Sequence, residues 1–160
     1  MINDLTEKIT ALISNDLREA IGALVLLDKH FGRETISTAI GELSERLIEK
    51  YLGGKRTKRG NQGHDLVLPN GDLIEIKSRF LSHYADTLQF NFGRHTEKAT
   101  TVYCMVWVAA TGEEPRLEKV LQLPVPYLMA NWATPGQPRY CARTTLGKLK
   151  AAAKEGLSAT

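Results

Sequence analysis

The chain has no long hydrophobic run, few cysteines and no large excess of either charge, and each shortage removes a class of function. Its longest uninterrupted apolar stretch, Val102 to Ala110, is nine residues, against the roughly 20 that a membrane-spanning helix needs. No membrane partner is therefore expected. The only cysteines are Cys104 and Cys141, far apart and without a CxxC or zinc-type spacing. This argues for a reduced, cytoplasmic protein in which both are packing residues. The four histidines, His30, His64, His83 and His95, are scattered and show no ligand spacing, so zinc is not expected. Met1-Ile2-Asn3-Asp4 lacks the basic and apolar regions of a secretory leader. A formal charge of +3 permits an anionic partner without demanding one. What is present is a chain of 160 residues, 42% hydrophobic, enough for one domain around a single core.

Residues 1–52 hold no proline and repeat apolar residues at helical spacing. Ser14-Asn15-Asp16 reads as a break and N-cap between two helices. A third helix is expected over 34–52, with Ile36, Ile40, Leu43, Leu47 and Tyr51 on one face and a stop at Gly53-Gly54. Lys55, Arg56, Lys58 and Arg59, followed by Gly60-Asn61-Gln62-Gly63, then read as a basic, flexible loop. Strands are expected over 64–68, 72–80, 87–92, 101–109 and 117–123, the fourth buried on both faces. A short helix over 127–132, a loop over 134–138 and a final helix over 144–155 complete the reading. Helices followed by strands and a mixed tail indicate an α/β or α+β domain.

The stretch that carries chemistry is Gly63 to Lys77. Strand alternation puts Glu75 and Lys77 on one face and Ile74 and Ile76 on the other. Pro69-Asn70-Gly71 suits a three-residue hairpin loop, which sets Leu68 opposite Asp72 and Asp65 opposite Glu75. A two-residue Asn70-Gly71 turn would instead point Asp65 away, and Pro69 favours the first register. Two adjacent carboxylates repel in a half-buried sheet unless a cation lies between them. Hard oxygen ligands suit Mg²⁺, and Lys77 beside them can orient a water or steady charge developing on a phosphate.

Asp65 with Glu75-Ile76-Lys77 resembles the PD-(D/E)XK nuclease superfamily, which carries an Asp on one strand and Glu-x-Lys on the next. The resemblance spans about residues 39–80; His64 stands where the family pattern has Pro. It implies a restriction-endonuclease-like mixed β-sheet flanked by helices, with 1–33 as a helical N-terminal extension, 34–123 as the catalytic core and 124–160 as a C-terminal tail and helix. It implies a metal-dependent DNA endonuclease, of restriction, resolvase-like or mobile-element type, leaving a 5′-phosphate and a 3′-hydroxyl. Asp65 and Glu75 would hold Mg²⁺, with Mn²⁺ able to substitute. A helix Glu, Glu45 in preference to Glu42, would be a third or indirect ligand, and Lys77 would assist the water. Lys55, Arg56, Lys58, Arg59 and Arg79 are the candidate phosphate contacts, and Gln89 and Asn91 share a polar strand face that could join them. A homodimer is expected, with helices 5–31 as its candidate interface. The alternatives are a non-catalytic module that binds DNA or a partner on the same fold, an RNA-cleaving member, and, most plainly, a surface hairpin with charges on its solvated face.

Overall fold

The computed structural model describes residues 1–58 and 63–158. In chain order it comprises β1 (Asn3–Asp4), α1 (Thr6–Thr10), α2 (Asn15–His30), α3 (Arg33–Leu52), β2 (Lys55–Arg56), β3 (Leu66–Val67) and β4 (Leu73–Leu81). There follow β5 (Gln89–Gly93), a 3-10 helix (Arg94–Lys98), β6 (Thr101–Val108), β7 (Arg116–Pro124), α4 (Val125–Trp132), β8 (Tyr140–Thr145) and α5 (Leu146–Ser158). Six strands form one mixed sheet in the order β1-β7-β6-β4-β3-β2, while β5 and β8 pair separately. Within the large sheet β4 and β6 run parallel and the other pairs antiparallel. The protein is thus mixed α/β, and no described helix is long and apolar enough to cross a membrane.

Local chemistry accounts for the element ends. Ser14 caps α2 by accepting from the Leu17 amide at 3.5 Å, and α3 stops at Gly53, as its sequence predicts. Pro126 lies in the first turn of α4, where its missing amide has no intrahelical partner to lose.

The sheet separates two apolar layers. On one face Ile74 and Ile76 of β4 and Tyr103, Met105 and Trp107 of β6 meet α1, α2 and α3 through Ile9, Ile21, Ile36, Ile40 and Leu47. On the other, Val102, Cys104, Val106 and Val108 meet Phe90, Phe92, Leu128, Leu146 and Leu149. Strand β6 is therefore buried on both sides, as its unbroken apolar run predicts. At the centre of the first layer the Trp107 indole N–H donates to Ser44 Oγ at 3.0 Å, and Ser44 donates to the Ile40 carbonyl at 2.8 Å.

The structure departs from the sequence reading in several places: the final helix starts at Leu146, after Thr144 and Thr145 close β8, and β1 and the 3-10 helix are additional elements. Lys55–Arg56 is an edge strand, paired with β3, where a flexible loop was expected. The strand expected over 64–68 keeps its ladder only at Leu66–Val67. Gln89–Gly93 pairs with Tyr140–Thr145 in a sheet of its own, a partner for which the short stretch after Pro138 gives no alternating signal. The helices before residue 33 are not an appendage, because Leu5, Ile9, Ile21 and Leu24 belong to the same buried layer as Ile74 and Ile76.

Candidate active site

The β3–β4 hairpin adopts the register that Pro69-Asn70-Gly71 predicts. Leu66 faces Ile74 and Val67 faces Leu73, the Leu68 amide donates to the Asp72 carbonyl at 2.9 Å, and the Gly71 amide closes the turn onto Leu68 at 2.9 Å. Gly71 has φ +87°, which a side chain would strain.

One residue before β3, the chain leaves the ladder. The Asp65 amide donates to the Ile74 carbonyl at 2.7 Å, and its carboxylate Oδ2 accepts from the Ile76 amide at 2.6 Å. Asp65 thus straddles Glu75, bonding to the residue on either side of it. Thr57 fixes this segment from the other flank: its amide donates to the Asp65 carbonyl at 2.8 Å and its hydroxyl to the His64 carbonyl at 3.0 Å. Gly63 has φ +110°, and a Cβ there would lie 2.8 Å from the His95 carbonyl oxygen. No other residue fits where the chain turns past the 3-10 helix towards Asp65.

Glu75 and Lys77 share a face, opposite Val102 and Cys104 on β6. Glu75 is only 8% exposed, and the Lys77 ammonium is ion-paired to its Oε1. Burial pushes the Asp65 carboxyl up from its ordinary value; the Ile76 amide pulls it down, Glu75 pushes it up again, and Lys77 opposes both raising effects. A buried carboxylate, a partly buried one and an ammonium therefore sense one another at this end of the hairpin. Such a cluster favours a cation or an extra proton at Asp65. Arg79 follows on the same face by alternation and is exposed.

Glu45 is elsewhere. Helix α3 packs on the opposite face, where a Cβ on Gly41 would lie 3.6 Å from Ser78 Oγ. Glu42, Glu45 and Glu49, at helical spacing, surround Arg56 of β2: its Nη1 lies 3.7 Å from Glu42 and 3.9 Å from Glu45, and its Nε 3.2 Å from Glu49. Among the described residues no group of three His, Cys, Asp or Glu is gathered as a metal-ligand set. The structure therefore brings Asp65, Glu75 and Lys77 together and leaves Glu45 in the neighbouring groove. That groove, about 510 Å³, is lined by Thr38, Gly41, Glu42, Glu45, Arg56, Thr57 and Lys58.

Of the basic run, Lys55 and Lys58 are exposed, whereas Arg56 is half-buried among the three glutamates. Arg59 lies outside the described residues, as do Gly60, Asn61 and Gln62. Gln89 and Asn91 are on β5, in the second sheet. Thr57 and the 3-10 helix beside Gly63 are parts of the site that the sequence reading missed. Thr57 has no signature beyond its place in a polar run, and the approach of His95 is a long-range contact that no local pattern encodes. Cys104 lies beside Lys77 on this face of the sheet, and burial raises its thiol far above the ordinary range despite Lys77 nearby. It is a packing residue. Comparison with protein-family models and with curated proteins finds no match to this chain.

Proposed function

We propose that the chain is a Mg²⁺-dependent DNA endonuclease of the PD-(D/E)XK type, on a restriction-endonuclease-like fold, acting in the cytoplasm. One observation supports this most: Asp65 bonds to the main chain on either side of Glu75, near enough for its carboxyl to sense both Glu75 and the Lys77 ion-paired to it. An isolated surface hairpin has no need to bury Glu75 or to raise Asp65.

The donor chemistry fits the metal. Asp65 and Glu75 offer hard oxygens side by side, and the raised Asp65 carboxyl is relieved by a divalent cation. Bound there, Mg²⁺, or Mn²⁺ in its place, would supply Lewis-acid polarisation of a phosphate. In this reading Lys77 leaves its ion pair with Glu75 to orient the attacking water and to steady charge on the phosphate oxygens. Water adds to phosphorus, the bond to the 3′-oxygen breaks, and that oxygen takes up a proton, leaving a 5′-phosphate and a 3′-hydroxyl. Lys55, Lys58 and Arg79 are assigned to the phosphate backbone. Glu45 acts indirectly, holding Arg56, and with it the β2–Thr57 segment, against the strand that carries Asp65.

The test is cleavage of plasmid and linear duplex by purified protein, with Mg²⁺ or with EDTA, beside Glu75→Gln and Lys77→Met. Metal-dependent cutting that both variants lose is the expected result. Wild type as inert as the variants on single- and double-stranded DNA and on RNA overturns it. Salt-sensitive DNA binding without cutting would then favour the non-catalytic module.

A further inference from the structure

Strands β5 and β8 form a ribbon of their own, and its two faces differ. Phe90, Phe92 and Ala142 belong to the apolar layer that covers β6, and Thr144, opposite Phe90, is buried with them. The other face carries three cross-strand pairs: Gln89 with Thr145, Asn91 with Arg143, and Gly93 with Tyr140. Gln89 and Arg143 are exposed. The Arg143 guanidinium lies over the Tyr140 ring, 4.5 Å from its centroid, which holds it in place on this face. A Cβ on Gly93 would meet nothing within 4 Å, so the space over this end is open. Thr145 is engaged, accepting from the Lys148 amide at the start of α5. Asn91 Oδ1 has no hydrogen-bond partner, which leaves one acceptor here to be satisfied.

From this we infer that the outer face of the β5–β8 ribbon lies in the major groove of duplex DNA and reads base edges there, Arg143 on guanine and Gln89 and Asn91 on adenine. The inference rests on the nuclease reading for its substrate and not for its chemistry. Shape, charge and polarity favour this occupant. The major groove admits a two-stranded ribbon, Arg pairs in two-pronged fashion with guanine, and Asn or Gln does so with adenine. Residues 84–98 and 137–150, which hold the ribbon, carry six Lys or Arg against two Asp or Glu, where the whole chain has 21 against 18. Of the two acids, Asp86 is ion-paired to Lys150 at 2.8 Å, and Glu97 lies on the 3-10 helix. This basic excess suits a polyanion. A protein partner calls for an apolar centre, yet of the five large apolar side chains exposed among the described residues only Tyr84 belongs to these segments. The ribbon is also joined to the candidate active site. Arg94, just after β5, donates to the Gln137 and Pro138 carbonyls and clamps the loop before β8, and His95 beside it abuts Gly63, two residues before Asp65.

Selection from a randomised duplex library by the full chain in EDTA, where nothing is cut, tests this beside Arg143→Ala, Gln89→Ala and, on α2, Arg18→Ala. Wild type is expected to enrich one short sequence over random duplex. Arg143→Ala should bind that sequence about tenfold or more weakly and lose its preference at a G·C position, with an unchanged circular dichroism spectrum. Gln89→Ala should lose preference at an A·T position. Arg18→Ala removes the same charge from the other layer and should keep both affinity and preference. Identical enrichment by wild type and both ribbon variants, equal weakening on every sequence, or binding of RNA or of no nucleic acid in place of duplex DNA overturns the inference. Cutting with Mg²⁺ is scored separately. A protein that selects duplex through Arg143 and never cuts keeps this inference and loses the nuclease reading, and one that cuts without such selection does the reverse.

Discussion

The Asp65 carboxylate and the Ile76 amide are joined at 2.6 Å across the mouth of the β3–β4 hairpin, and this one bond holds an acidic side chain against a second one. The cost is electrostatic. Because burial and Glu75 raise Asp65, its charged form is less favoured in the folded state than in the unfolded one. Its contribution to stability is complete below the ordinary Asp range, near 4, and is lost as the pH rises through its folded value.

Asp65→Asn should therefore raise the melting temperature at neutral pH by a few degrees and leave it unchanged near pH 3, because asparagine still accepts from Ile76. Millimolar Mg²⁺ should raise the melting temperature of wild type and not of the variant. Thermal denaturation with and without EDTA measures both effects, and a variant less stable than wild type at neutral pH contradicts the first.

Lys77 and Glu75 form the second relationship to probe. Removing the ammonium in Lys77→Met leaves a buried carboxylate without its counter-charge, at a cost of about 1–3 kcal/mol, reduced from a fully buried pair because Lys77 is partly exposed. Adding Glu75→Gln should restore part of it. Urea unfolding of wild type, both single variants and the double variant in EDTA measures the coupling, and strictly additive losses would mean that the pair is not coupled in solution.

In the helical layer, Ser44→Ala would leave the Trp107 N–H buried without an acceptor, for about 1–3 kcal/mol. Ser37→Ala, on the exposed side of the same helix, should change stability by less than about 0.5 kcal/mol. Chemical denaturation of the two variants together distinguishes loss of the hydrogen bond from loss of a helical serine.

At the hairpin tip, Gly71→Ala must hold an alanine at φ +87° and should cost about 1 kcal/mol. Since this turn sets the register that carries Asp65 to Glu75, the same variant should lower any Mg²⁺-dependent cleavage by more than Asn70→Ala. Parallel measurement of stability and cutting would show whether the two losses go together.

How much of this was legible beforehand follows from range. The turn chemistry of Pro69-Asn70-Gly71 and the alternation of Ile74, Glu75, Ile76 and Lys77 are local, and the register and the faces were both readable from them. So were α3 and the doubly buried β6. The small sheet of β5 and β8 was not, because its pairing of Phe90 with Thr144 spans the chain and its strands are short. Glu45 illustrates the same limit: helical periodicity places it on the polar side of α3, but only the packing of α3 over Ser78 determines that it meets Arg56.

The two border strands of the large sheet have a consequence for how the protein behaves when crowded. Strands β1 and β2 are two residues each, Asn3–Asp4 and Lys55–Arg56, and polar or charged throughout. Neither offers the long, flat, apolar rim on which a stranger's backbone can zip. Concentrated solutions should therefore not seed fibrils from either of these two strands.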